Sequence, residues 1–171
     1  NVCWGMSNRS VLVRVPLGWT SGEDMCHKAN DIEPLTARDY SIKQTVEMRS
    51  PDASADIYQL LAGLCVACRH GFEMANAEAE AERTFADGDI HDPKNAERYA
   101  TLAQLPDSCA ASADCLERQR KVYEEYDVFS PAMIDGIIKQ LRSYNDRTLR
   151  QEIEGKEMMM EKLVRQYFHC G

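Results

Sequence analysis

The sequence predicts an α+β chain, with a few antiparallel strands from an incomplete sheet followed by a mostly α-helical carboxy-terminal region. Two short β-branched runs, residues 8–16 and 45–52, lie in the first third of the chain. Beyond residue 54, apolar residues recur at spacings of three and four, the period of helices with one apolar face. No internal repeat or low-complexity linker marks a second domain. Residues 1–171 therefore read as one region, with strands and a long connector in 1–53 and helices in 54–171.

The first run is Asn8-Arg9-Ser10-Val11-Leu12-Val13-Arg14-Val15-Pro16. Strand side chains alternate, so Arg14 faces away from Val11, Val13 and Val15. Strict alternation also puts Arg9 and Arg14 on opposite faces. A site shared by both requires a bend or bulge near Arg9. Pro16 ends the run or confines it to a sheet edge. Residues 17–44 carry Gly18, Gly22 and Pro34 among many polar residues and read as a long connector, with Trp19 as its large apolar anchor.

The second run holds Thr45-Val46-Glu47-Met48-Arg49-Ser50-Pro51-Asp52. Thr45, Glu47 and Arg49 share one face, and Glu47 and Arg49 stand about 6–7 Å apart along it. A carboxylate suits a hard cation. A guanidinium suits a carboxylate or phosphoryl group through its fork of donors. Side by side they suit phosphoryl transfer, which depends on positioning and charge neutralisation. A plain surface salt bridge on an edge strand is the competing reading.

Helices follow. Ser54 is a candidate N-cap for a helix whose apolar stripe is Ile57, Leu60, Leu61, Leu64, Cys65, Cys68 and Phe72. The helix is expected to run on through the Ala/Glu-rich stretch 75–85 until Gly88. Asp92-Pro93 pairs an N-cap with proline at the first helical position and opens a short helix toward Ala103. Further helices are expected from about Ala113 to Tyr126, from Ser130-Pro131 onward, and after the interruption at Gly155.

Composition narrows the partners. A hydrophobic content of 44% supports a sizeable core. The net charge of −8 disfavours nucleic acid and anionic membranes as general partners. No apolar run approaches the roughly 20 residues that span a bilayer. Seven cysteines without a secretory signal point to reduced thiols and a cytoplasmic setting. Cys65-x-x-Cys68 sits on the expected apolar stripe, where free Cys acts as a small hydrophobe, and it lacks the second ligand pair of a zinc site. His169-Cys170 reads as a frayed end, and Met158-Met159-Met160 as core plus one exposed methionine. The opening Asn1-Val2-Cys3-Trp4-Gly5 lacks an initiator Met and a charged targeting region, so a carboxy-terminal piece of a longer chain is expected.

The order N-R-S-x-x-x-R-x-P, a connector, then E-x-R-S-P-D resembles the carboxy-terminal catalytic region of glutamine synthetase. Asp56-Ile57-Tyr58 stands where that family opens a helix with N-P-Y. Leu105-Pro106-Asp107-Ser108 resembles its L-P-x-S segment, and Val128-Phe129-Ser130 the turn before its last helices. The expanded connector and long tail look most like the type III branch. The resemblance implies ATP and glutamate as substrates, ammonia as acceptor, magnesium or manganese as cofactor, and a homo-oligomeric parent. It implies that Glu47 holds a metal, that Arg49 binds glutamate and its acyl phosphate, and that Arg9 neutralises the transferring phosphoryl group. Arg14 would face the nucleotide phosphates. Thr45 stands where many relatives carry an ATP-contacting arginine, and Lys43 is the candidate to supply that charge. The resemblance also implies that this chain alone is inactive. A helical assembly module without nucleotide chemistry, and a γ-glutamyl ligase with another amine acceptor, are the alternatives.

Overall fold

A computed structural model describes residues 1–16, 24–36, 45–51 and 54–168. Trp19, Lys43, His169 and Cys170 lie outside the described residues. The described chain is α+β, with three short strands and seven α-helices. It gathers into two compact units. One comprises residues 1–50 and 78–104, the other residues 51–77 and 105–171.

The first unit is built on a small mixed sheet in the order β1-β2-β3. Strand β1 (Trp4–Met6) pairs in parallel with β2 (Val13–Val15), and β2 pairs antiparallel with β3 (Glu47–Met48). The run from Asn8 to Pro16 is thus strand only at its end, and residues 7 to 12 bend. On the other side of β1, Ala86 donates its amide to the Trp4 carbonyl at 2.8 Å, and Trp4 and Phe85 form an isolated parallel bridge. That approach needs a residue without a side chain, because a Cβ on Gly5 would stand 2.4 Å from the Ala86 carbonyl oxygen. Cys3, Val11, Ala86, Tyr99 and Leu102 form the buried core beneath. In the connector, Asp24 caps the short helix α1 (Met25–Ala29) by accepting from the Cys26 and His27 amides. The same carboxylate accepts from the Thr36 amide and hydroxyl at 3.0 and 2.5 Å, and these bonds pull its pKa to about 2.

The second unit is helical. Helix α2 (Ile57–Glu73) is capped by Asp56, whose carboxylate accepts from the Tyr58 and Gln59 amides, so the cap lies two residues beyond Ser54. Met74 ends it, and α3 (Ala77–Thr84) is a separate helix that, past Ala77, belongs to the first unit. The buried side of α2 is also displaced from the expected stripe. Ala62 and Val66 pack against Ala113, Phe129, Ile134 and Ile138. Ile57, Leu61, Cys65, Cys68 and Phe72 are exposed. This helix is apolar on nearly every side, so periodicity alone does not choose which side is buried.

Helices α4 (Cys109–Glu124) and α5 (Pro131–Ser143) make the main pair of this unit. Helix α4 starts four residues before the expected Ala113, because Ser108 caps it at the Ala111 amide. Asp146 reaches back to accept from the Cys109 and Ala110 amides at 2.7 and 3.1 Å. Ser130-Pro131 opens α5 as expected, with the Ser130 hydroxyl accepting from the Met133 amide. In the first unit, Asp92-Pro93 opens only a 3-10 turn, Pro93–Asn95, rather than a helix to Ala103. The interruption at Gly155, with φ of +70°, separates α6 (Leu149–Ile153) from α7 (Glu157–Tyr167). Met158, Met159 and Met160 are all exposed, so the expected core role does not hold for them here.

Candidate active site

The first unit brings the charged strand residues together. Register places Arg14 opposite Glu47 across the β2–β3 pair, and their side chains form an ion pair. Arg49 follows directly after β3 on the same side as Glu47, and its Nε lies 3.5 Å from Glu47 Oε1. Glu47 therefore stands between two guanidiniums, one on each carboxylate oxygen. All three side chains are partly open, with Arg14 at 20% exposure, Arg49 at 37% and Glu47 at 39%. The described β3 lies at the edge of the sheet.

Arg9 joins this group through the backbone. Nη1 of Arg49 donates to the Arg9 carbonyl oxygen and approaches the Val11 carbonyl oxygen at 3.5 Å. The bend over residues 7 to 12 cancels the strict alternation that would have put Arg9 and Arg14 on opposite faces. Ser7, Arg9, Arg14 and Pro16 line one cleft of about 250 Å³. Arg9 also lines a larger neighbouring cleft of about 520 Å³ with Ser7, Ser10, Asp87, Asp89 and His91. Lys43 lies outside the described residues, and Thr45 precedes β3 as an exposed residue.

Around Glu47, two guanidiniums face one carboxylate, and Arg9 adds a third guanidinium to the cleft it shares with Arg14. That set fits a phosphate or carboxylate, because guanidiniums donate in pairs to such oxygens. The fit to a magnesium ion is incomplete. Magnesium takes near-octahedral oxygen ligands at close range. Among the described residues, no group of three or more His, Cys, Asp or Glu side chains gathers to hold a metal. Glu47 offers one carboxylate, already shared by two guanidiniums.

Sequence reasoning missed what holds this cluster in place. Asn8 and Ser10 bind the backbone of residues 86–90, and Tyr99 supports that segment from behind. Gly88 was visible as a break, but nothing in its residue type pointed to Asn8. Asp87 sits beside this support. The Tyr99 hydroxyl, then the Arg98 guanidinium, hold its carboxyl below the usual range.

Comparison with known proteins agrees with the motif order. The family model described as "Glutamine synthetase, catalytic domain" matches residues 1–161. A protein named glutamine synthetase from Streptomyces coelicolor (strain ATCC BAA-471 / A3(2) / M145) is 28% identical over 135 residues. That match covers 79% of this chain and 24% of the Streptomyces protein, so the chain spans about a quarter of the relative's length. No solved structure matches. With nearly its whole length matched by the family model, and with Arg14 paired to Glu47 across one sheet, the chain belongs to the glutamine synthetase catalytic-domain family.

Proposed function

We propose that residues 1–171 form the carboxy-terminal part of the catalytic region of an ATP-dependent glutamate–ammonia ligase. The pairing of Glu47 with Arg14 and Arg49, beside a cleft that Arg14 lines with Arg9, carries this reading. Ligation through γ-glutamyl phosphate moves a phosphoryl group from ATP to a carboxylate, and negative charge must be held throughout. Arg49 is assigned to the glutamate carboxylate and its acyl phosphate. Arg9 is assigned to the transferring phosphoryl group and Arg14 to the nucleotide phosphates, with Lys43 as a further cation for ATP. Glu47 would be one ligand of a magnesium or manganese ion, which would supply charge neutralisation for the phosphates. The remaining oxygen ligands would come from beyond the described residues.

On this reading the isolated chain does not turn over, because it offers one metal carboxylate and an open site in which charges are screened by water. The parent works as a cytoplasmic homo-oligomer, and the long connector after Pro16 supports a place in the type III branch. No described helix is long and apolar enough to cross a membrane.

The test is phosphate release by the full-length protein supplied with glutamate, ammonia, ATP and magnesium. Arg9→Ala is expected to lower kcat by roughly 100-fold, the scale of losing one preorganised charge donor. Arg49→Ala should damage glutamate use and the chemical step more than ATP binding. Phosphate release that ignores glutamate, or variants as fast as the parent, would overturn the assignment.

A further inference from the structure

Arg9 is fastened by its neighbours rather than by its own side chain. Asn8 Nδ2 donates to the carbonyl oxygens of Ala86 and Gly88 at 3.0 and 2.8 Å. Asn8 Oδ1 accepts from the amide and hydroxyl of Ser10 at 2.9 and 2.8 Å. A primary amide has two donor hydrogens and two acceptor lone pairs, and all four are used. Ser10 Oγ then accepts from the Ile90 amide at 3.1 Å. The two residues flanking Arg9 are thus pinned to one backbone segment some 80 positions away.

That segment is itself anchored in the core. Tyr99, only 5% exposed, accepts from the Gly88 amide and donates to Asp87 Oδ1, both at 3.0 Å. Arg98 pairs with the same Asp87 oxygen at 2.9 Å. Asn95 Nδ2 donates to the Asp89 carbonyl oxygen at 2.9 Å. Arg49 holds the Arg9 carbonyl from the other side. The backbone around Arg9 is therefore held by Asn8, Ser10 and Arg49, while Arg9 is an exposed residue that lines both clefts.

We infer that Asn8 is a positioning residue for Arg9, acting through its amide bonds to the Ala86–Ile90 segment. The inference rests on the proposed reading that Arg9 meets the transferring phosphoryl group. Phosphoryl transfer tolerates little displacement, and about 1 Å of misplacement costs roughly 100-fold in rate. Asn8→Asp separates fold from position. It keeps the acceptor for Ser10 but turns the two donors into an oxygen that repels the Ala86 and Gly88 carbonyls.

The experiment is a double-mutant cycle in the full-length protein, read by glutamate-dependent phosphate release and by amide exchange. Asn8→Asp is expected to lower kcat roughly 10- to 100-fold while KM for ATP and glutamate stays within about threefold. In an Arg9→Ala background the same change should cost less than about twofold, because coupled residues are not additive. The Ile90 amide should exchange faster in Asn8→Asp. An equal loss in both backgrounds would show that Asn8 supports the fold alone and would overturn the inference. Arg9→Ala at parental turnover would instead remove the reading of Arg9, and the inference with it. If Asn8→Asp fails to fold, Ser10→Ala cuts only the hydroxyl bonds to Ile90 and Asn8 and keeps the Ser10 amide on Asn8. It should show a loss of several-fold that likewise vanishes without Arg9.

Discussion

The two units are held by different means. In the first, specific polar bonds place a few charged side chains, and strands of two or three residues leave little regular structure to do it otherwise. In the second, Val66, Ala113, Phe129, Ile134 and Ile138 form an apolar seam, and ion pairs such as Arg142 with Asp114 and Glu117 decorate the surface. Exposed pairs of that kind add little stability. The difference separates two tasks. An apolar seam accepts many sequences of suitable volume. A guanidinium that meets a phosphoryl group needs a defined backbone, and directional hydrogen bonds supply it.

Substitutions that strike each unit where it is least forgiving should break it by a different mechanism. Ile134 is 1% exposed and sits in the seam. Ile134→Ala is expected to cost about 4 kcal/mol by leaving a cavity, measured by urea denaturation. Gly5→Ala strikes the first unit without touching its charges. Its new Cβ would meet the Ala86 carbonyl oxygen, a backbone atom with no side-chain freedom to yield. A cost of about 2–3 kcal/mol is expected, together with faster amide exchange at Ala86.

Asp146 tests a polar device inside the helical unit. Burial pushes its carboxyl up, but the amides of Cys109 and Ala110 outweigh that and hold it below its ordinary value. A depressed carboxyl contributes stability above its unfolded pKa of about 4 and loses it as pH falls through the lower folded value. Asp146→Ala should therefore cost about 1 kcal/mol at neutral pH, the usual worth of a helix cap, and the difference from the parent should shrink toward pH 2. The smallest effect has the opposite sign. Gly63 lies within α2 with nothing within 4 Å of its would-be Cβ. Gly63→Ala should stabilise by about 0.5–1 kcal/mol, seen as a raised Tm. A destabilising result would mean that this face of α2 is covered.

Local chemistry was legible in the sequence, and distant partnerships were not. Alternation put Glu47 and Arg49 on one side of a strand, and the structure pairs them. Asp92-Pro93 and Ser130-Pro131 announced their caps, because a cap acts within three residues. The same rule misled at α2, where Ser54 and Asp56 are both good cap types and Asp56 is the residue that caps the helix. The hold of Asp146 on α4 spans 37 positions, and that of Asn8 on Ala86 spans 78. Their partners are backbone amides and carbonyls, which every residue type carries alike. The length of the Asp92 turn was misjudged because the cap marks where a helix begins and says nothing of where it stops.

The grip of Asn8 on Ala86 and Gly88 also sets a timetable. Chain growth delivers residues at roughly 5–20 per second, so the Arg9 loop exists for several seconds before its anchor is made. Helices α4 and α5 adjoin in the chain and can pair as soon as both are present, whereas closing a loop across some 80 residues pays its entropy first. The arginine-bearing loop thus waits for its anchor until some 80 further residues have been made.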